Sequence, residues 1–148
     1  MKLAKLFLSV GGVGFLPLMP GTFGSLAGVL LSLVLPFFWR GPVLIALLLI
    51  SICLIHLYRR QLPQSDPSWI VIDEVVGQMI PFALIDESSW IFILSSFILF
   101  RIFDISKVGI VGWTEKYFDQ NQKTWSLGIM LDDVAAGLCA ALLMKVFF

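Results

Sequence analysis

Trp69-Ile-Val-Ile-Asp73-Glu74-Val-Val-Gly77-Gln-Met-Ile-Pro81-Phe-Ala-Leu-Ile85 sets two adjacent carboxylates inside a run that is otherwise almost wholly apolar. The stretch from Ile129 to Phe148 does the same a second time, with Asp132-Asp133. A carboxylate within a hydrocarbon layer costs about 2.5–3.5 kcal/mol on insertion scales unless something pairs with it. A third apolar run ends on Arg101 and Asp104. Packing alone gives no reason to keep these charges. Ionisable groups in such surroundings are functional candidates, and paired carboxylates are hard oxygen ligands suited to a divalent cation.

Composition sets the class around these runs. Of the 148 residues, 59% are hydrophobic and 14% charged, against roughly 45–50% apolar in soluble domains. Mean hydropathy is +0.96. A chain of this length reads as one domain, residues 1–148, and its composition as membrane-embedded. Formal net charge is zero, so the overall basic footprint of a nucleic-acid binder is missing. Cys53 and Cys139 stand alone in apolar runs with no CxxC partner, and they read as small packing residues.

Five apolar stretches are candidates for helices: residues 25–39, 42–58, 69–85, 89–103 and 129–148. Several fall short of the roughly 20 residues of a comfortable span. Gly41-Pro42 is expected to separate the first two, the segment from Pro63 to Pro67 the next pair, and Asp86-Glu87-Ser88-Ser89 the third. The polar stretch 106–126 is expected as an exposed loop. The fold expected is therefore all-α, an integral membrane bundle of about four to five short helices with an interfacial or re-entrant N-terminal segment. Lys2 and Lys5 ahead of a short apolar run also resemble a signal-peptide start. Gly11-Gly12, Gly14 and Pro17 interrupt that run and favour retention. If successive helices alternate sides, Arg59, Arg60, Lys107, Lys116 and Lys123 share one face, which the positive-inside tendency makes cytoplasmic. Both acidic pairs and Arg101/Asp104 then lie near that same face.

Each charged motif has two readings. Pro20-Gly-Thr-Phe-Gly-Ser25 opens a helix with glycines that allow close approach, unpaired N–H groups and two hydroxyls, which suits a phosphate. It also suits a cap followed by a small-residue packing face. Asp73-Glu74 and Asp132-Asp133 read as cation ligands or as acids favouring a helix N-terminus. Adjacent helical positions point about 100° apart, so one member of each pair can ligate while the other positions a water or meets a basic group. Arg101, Asp104 and Lys107 recur every third residue, as a phosphate-holding stripe or as an internally paired interfacial one. His56 is the only histidine, which removes histidine relays and histidine-rich metal sites. There is no Walker glycine-lysine loop and no cysteine-nucleophile phosphatase loop. An all-oxygen site beside basic groups and a glycine-rich helix start suits Mg²⁺ and phosphate.

Pro20-Gly-Thr-Phe-Gly-Ser25, Asp73-Glu-Val-Val-Gly77, Phe100-Arg-Ile-Phe-Asp-Ile-Ser-Lys107 and Met130-Leu-Asp-Asp-Val-Ala-Ala-Gly137 resemble, in order, the signature blocks of the phosphatidylglycerophosphatase A family. After the lysine this chain has Val108-Gly109 where the family has a proline-rich turn. The resemblance implies a bacterial inner-membrane, multi-pass, Mg²⁺-dependent lipid phosphatase of phospholipid biosynthesis. Its reaction would remove the terminal phosphate of phosphatidylglycerophosphate at the cytoplasmic face, leaving phosphatidylglycerol. Asp73, Glu74, Asp132 and Asp133 would hold the metal, and Gly21, Thr22, Ser25, Arg101 and Lys107 the phosphate. Asp104, with Asp73 and Asp133, supplies the catalytic candidates, Asp104 for orienting or deprotonating the attacking water. A covalent aspartyl phosphate is the open alternative to direct attack. Another cation-dependent lipid head-group enzyme and a small ion or proton transporter are the alternative functions. A transporter calls for charges near mid-bilayer with access from both faces, whereas these crowd one end.

Overall fold

Apolar runs become helices here because an amide buried in hydrocarbon has no water to bond, and a helix satisfies it within its own segment. The computed structural model describes residues 2–62, 67–107 and 125–148, and every regular element among them is helical. In chain order these are α1 (Lys2–Leu8), a 3-10 turn (Val13–Phe15), α2 (Pro20–Val34), α3 (Phe37–Tyr58), a second 3-10 turn (Arg59–Gln61), α4 (Ile72–Leu84), α5 (Trp90–Ser106) and α6 (Trp125–Met144). The expected loop 106–126, including Val108-Gly109, Lys116 and Lys123, falls almost entirely outside the described residues, as does the break from Pro63 to Asp66.

The middle of the bundle is α4. Ten of its thirteen residues are buried, and α2, α3, α5 and α6 all pack against it. One core cluster joins Leu8 and Ile55 to Ile72, Val75, Val76 and Met79 of α4 and to Met130 of α6. A second sets Phe100 of α5 on Ala135, Ala136 and Ala140 of α6. At the far end Val29, Phe82, Phe92 and Met144 meet, with Phe82 and Phe92 edge to face at 5.2 Å. The outside is apolar as well: Leu26 and Leu30 on α2, Ile45 and Leu49 on α3, and Leu94 and Ile98 on α5 are all exposed. Phe37–Tyr58 and Leu127–Met144 are long and apolar enough to cross a membrane. The architecture is an all-α bundle of the helical membrane-protein type.

Glycine decides how closely the helices approach. A Cβ on Gly137 of α6 would overlap the Gly77 carbonyl oxygen of α4, and a Cβ on Gly77 would lie 2.5 Å from the Asp133 carbonyl oxygen. Pro81 reinforces the crossing. It has no N–H to donate to the Gly77 carbonyl one turn back, and α6 packs against that carbonyl. Gly24 and Gly28 do the same for α2 on α4, where added Cβ atoms would lie 2.9 Å and 2.8 Å from the carbonyl oxygens of Val71 and Val75.

Several helix boundaries differ from expectation: α4 starts at Ile72 rather than 69, and α5 runs on to Ser106 rather than 103. The first helix covers Pro20–Val34 rather than 25–39, because Pro20 is well placed at a first helical position. Its end is the Leu35-Pro36 step, where Pro36 becomes the N-cap of α3. Gly41-Pro42, expected as the break, lies inside α3. Near the start of α3, Pro42 removes only one helical hydrogen bond, and the helix runs on through it with Pro42 exposed. The last helix starts at Trp125 rather than 129, so Asp132 and Asp133 sit more than a turn inside it. The break before α5 is as expected: Ser89 caps it, its hydroxyl accepting from Phe92 N at 3.3 Å. The backbone N–H groups of Ser89 and Ser88 donate to Glu87 and hold its carboxyl below the usual carboxylate range.

The N-terminal segment is part of the packed structure. Leu8 is buried, its carbonyl accepts from Val71 N at 3.0 Å, and Phe15 stacks on Trp69 with centroids 5.8 Å apart. At the end opposite the acidic residues, the buried Arg40 donates to the carbonyls of Leu35 and Phe82, each at 3.2 Å. These are terminal carbonyls of α2 and α4, where unpaired acceptors and negative helix ends favour a cation.

Candidate active site

Asp73 and Glu74 are the second and third residues of α4, in its first turn. Asp133 reaches them from α6 across the Gly77–Gly137 crossing. One carboxylate oxygen from each of Asp73, Glu74 and Asp133 lies within 4.8 Å of the others. Asp73 and Asp133 are buried and Glu74 half-buried. Helical phase explains the selection. Asp133, Gly137 and Ala141 form one face, and Gly137 is the contact point with α4, so Asp133 is carried inward. Asp132, about 100° round the helix, is half-buried and stands outside that three-carboxylate group. The acids on α4 sit where a helix N-terminus favours them. Those on α6 have no such benefit, since its first turn contains no acid.

Beside Glu74 lies the start of α2. A Cβ on Gly21 would collide with the Glu74 carboxylate and lie 3.3 Å from Arg101 Nη1, so glycine is the residue that lets the three groups meet. Ser25 Oγ donates to the Gly21 carbonyl at 2.9 Å and accepts from Arg101 Nη1 at 3.4 Å. Thr22 Oγ1 is buried with no hydrogen-bond partner among the described residues. Met19, the α2 N-cap, gives no side-chain cap. Leu18 and Met19 hold left-handed backbones at φ 66° and 60°, a conformation that costs of order 1–3 kcal/mol and clusters at functional sites.

On α5, Arg101 Nη1 pairs with Asp104 Oδ2 at 2.5 Å, both side chains largely buried. A Cβ on Gly21 would meet both the Glu74 carboxylate and Arg101 Nη1, which sets the pair beside Glu74. One guanidinium thus spans α2, α5 and the acidic layer. Lys107 ends α5 as its C-cap and is exposed. His56 is exposed near the end of α3, and both cysteines are free. Of the residues read from the sequence, the structure brings together Asp73, Glu74, Asp133, Gly21, Ser25, Arg101 and Asp104. Gln78 and Arg40 were not singled out, although each is a polar side chain in or beside an apolar run, the same signal that marks the acids.

The arrangement offers three anionic oxygen donors on one side and a cation with a hydroxyl and a helix start on the other. That donor set fits a hard divalent cation and a phosphoryl group held between them.

The model of the family described as Phosphatidylglycerophosphatase A matches residues 6–148. Phosphatidylglycerophosphatase A of Escherichia coli strain K12 is 33% identical over 138 residues, covering 90% of this chain and 77% of that protein. The Haemophilus influenzae protein of the same name is 38% identical over 144 residues, covering 93% and 84%. A Bacteroides thetaiotaomicron protein, provisionally named a phosphatidylinositol-3-phosphatase, is 34% identical over 144 residues, covering 91% and 87%. No solved structure matches the chain. The chain belongs to the phosphatidylglycerophosphatase A family.

Proposed function

We propose that this protein hydrolyses the terminal phosphomonoester of phosphatidylglycerophosphate, with Mg²⁺, at the cytoplasmic face of a bacterial inner membrane. The observation that carries the reading is the convergence of Asp73, Glu74 and Asp133 within 4.8 Å, beside Gly21 and Arg101. Asp73, Glu74 and Asp133 hold the cation, with Asp132 contributing from the rim. Mg²⁺ in such a site supplies Lewis-acid stabilisation of phosphoryl charge and lowers the pKa of coordinated water. Arg101 and Ser25, the Gly21 end of α2, and Thr22 hold the phosphoryl oxygens, and Lys107 adds positive charge at the exit of α5. Asp104, kept in place by Arg101, orients the attacking water and takes its proton; as the bond from phosphorus to the glycerol oxygen breaks, that proton passes to the leaving oxygen, so phosphatidylglycerol is released as the alcohol. Phosphate then leaves toward the water-facing side while the acyl chains remain against the apolar helix exteriors.

A second substrate reading, a phosphoinositide 3-phosphate, is favoured by the name of the Bacteroides relative. Both substrates are membrane-anchored phosphomonoesters, so the same layer serves either. Phosphate release from each lipid in mixed micelles, with purified protein, separates them. Release from phosphatidylglycerophosphate that stops on chelation and returns with Mg²⁺ is the expected result. Faster release from the phosphoinositide moves the assignment to the second reading, and release from neither rejects both.

A further inference from the structure

The N-terminal segment grips the residues that lead into α4 at several points. The Val71 N–H donates to the Leu8 carbonyl at 3.0 Å. The Trp69 carbonyl lies against Gly14, where an added Cβ would overlap its oxygen and stand 2.7 Å from its carbon. The Trp69 ring stacks on Phe15 with 15° between the planes, and Lys5 Nζ stands over it, 5.5 Å from the centroid. The sequence builds this grip locally. Val10, Gly11 and Gly12 take left-handed backbones at φ 51°, 69° and 102°, which glycine adopts without the penalty that a side chain brings. The chain therefore reverses at the end of α1, where the carbonyls of Leu6, Phe7 and Ser9 accept from N–H groups of the turn. The Leu8 carbonyl goes to Val71 instead.

Val71 is the N-cap of α4 and has no side-chain cap of its own. Its carbonyl accepts from Val75 N at 3.3 Å and lies 2.9 Å from where a Cβ on Gly24 would stand. Val71 is thus held between α1 and α2, two residues before Asp73. The first turn of a helix has N–H groups with no partner inside the helix, so its position depends on what precedes it. Asp73 and Glu74 are in that turn. We propose that the N-terminal segment, residues 5–15, is a clamp for the acidic end of α4, with Gly14 and Trp69 as its positioning residues. It fixes where the first turn begins, and so where the Asp73 and Glu74 carboxylates stand relative to Asp133. The role rests on those carboxylates forming the cation site. A segment that served packing alone would lower stability when loosened and leave metal affinity where it was.

The test uses full-length protein in detergent and Mn²⁺ as the probe, with free Mn²⁺ read by electron paramagnetic resonance. Gly14→Ala drives a methyl into the Trp69 carbonyl, and relief requires the lead into α4 to shift. It should weaken Mn²⁺ binding about tenfold, the scale of losing a metal ligand's support. The metal needed for half-maximal phosphate release should rise by the same factor, with lipid KM unchanged. Trp69→Ala should behave alike, whereas Trp69→Phe keeps a ring for Phe15 and should bind Mn²⁺ nearly as the wild type does. Arg40→Met, a lesion at the opposite end of α4, shows what lowered stability alone does, and its Mn²⁺ affinity should be that of the wild type. Wild-type affinity in folded Gly14→Ala and Trp69→Ala overturns the proposal, as does an equal loss in Arg40→Met. If both clamp variants misfold, Phe15→Ala carries the test, since Phe15 is largely exposed: weaker Mn²⁺ binding supports the clamp and unchanged binding overturns it. A wild-type protein that binds no Mn²⁺ rejects the cation site and the clamp with it, and that outcome is distinct because it needs no variant.

Discussion

Gly137 carries no chemistry, yet replacing it with alanine should damage the proposed active site. An added Cβ would lie 3.0 Å from the Gly77 carbonyl carbon and 2.9 Å from Ile80 Cδ1, and would overlap the Gly77 carbonyl oxygen. Ile80 can turn its methyl away, but the α4 backbone cannot yield without moving the helix. Carbon atoms prefer about 3.5–4.0 Å, so relief requires α6 to back away by about 0.5–1 Å. Asp133 lies one turn from Gly137 and moves with it, which opens the cluster it forms with Asp73 and Glu74. Overpacking of this kind costs about 1–3 kcal/mol of stability, and a 1 Å misplacement of a reacting constellation costs on the order of 100-fold in rate. The expectation is a folded protein whose kcat/KM for lipid phosphate release falls by about 10–100-fold, with a raised metal requirement. Gly41→Ala is the control. Nothing lies within 4 Å of its new Cβ, so activity should be unchanged and stability the same or up to about 1 kcal/mol better. Wild-type kcat/KM and metal requirement in Gly137→Ala would refute the claim that the α4–α6 glycine contact sets the carboxylate spacing.

Three further outcomes are expected. Arg101→Gln removes a charge-assisted donor and should cost about 2.7–4 kcal/mol in kcat/KM, the scale of an oxyanion-hole donor, with a smaller change in metal requirement. Equal loss in the metal requirement would make Arg101 a support for the acids instead. Arg40→Met strands the carbonyls of Leu35 and Phe82 at the far end and should lower stability by about 1–3 kcal/mol while leaving lipid KM unchanged, read from thermal unfolding alongside kinetics. In a Cys53→Ala, Cys139→Ala background, which should keep its activity, a cysteine at Ser88 should label from outside intact cells and one at Asn121 only after permeabilisation. The reverse pattern would invert the proposed orientation.

Much of this was legible in the residues because membrane helices leave few options. An apolar run must be helical to satisfy its own backbone, so the existence of α2 to α6 follows from hydropathy. The acidic pairs were legible as a candidate site because charge there has a cost that only pairing or ligation offsets, and three of the four acids do come together. Boundaries were less legible. Pro36 and Pro42 look alike in sequence, and only the packing of α3 decides which one breaks the chain. The placement of α6 mattered more. Starting at Trp125, it carries Asp132 and Asp133 well inside the helix and leaves the N-terminal-acid reading available to Asp73 and Glu74 alone. Which acid of the second pair faces inward depends on the Gly77–Gly137 crossing, a tertiary fact. Gln78 and Arg40 are hard to read from sequence for a related reason. One neutral amide within a run, or one arginine near a run's end, gives no sign of its surroundings, and only the packed bundle shows each to be buried.

The central claim is that carboxylates from α4 and α6 hold one cation that phosphate transfer needs. The most direct measurement is the Mg²⁺ concentration giving half-maximal phosphate release for Asp73→Asn, Asp133→Asn and Asp132→Asn, made side by side. Asp73→Asn and Asp133→Asn should raise it steeply or abolish activity, with Asp132→Asn less affected because it stands outside the three-carboxylate group. Near-normal release at wild-type Mg²⁺ from both Asp73→Asn and Asp133→Asn would contradict the account.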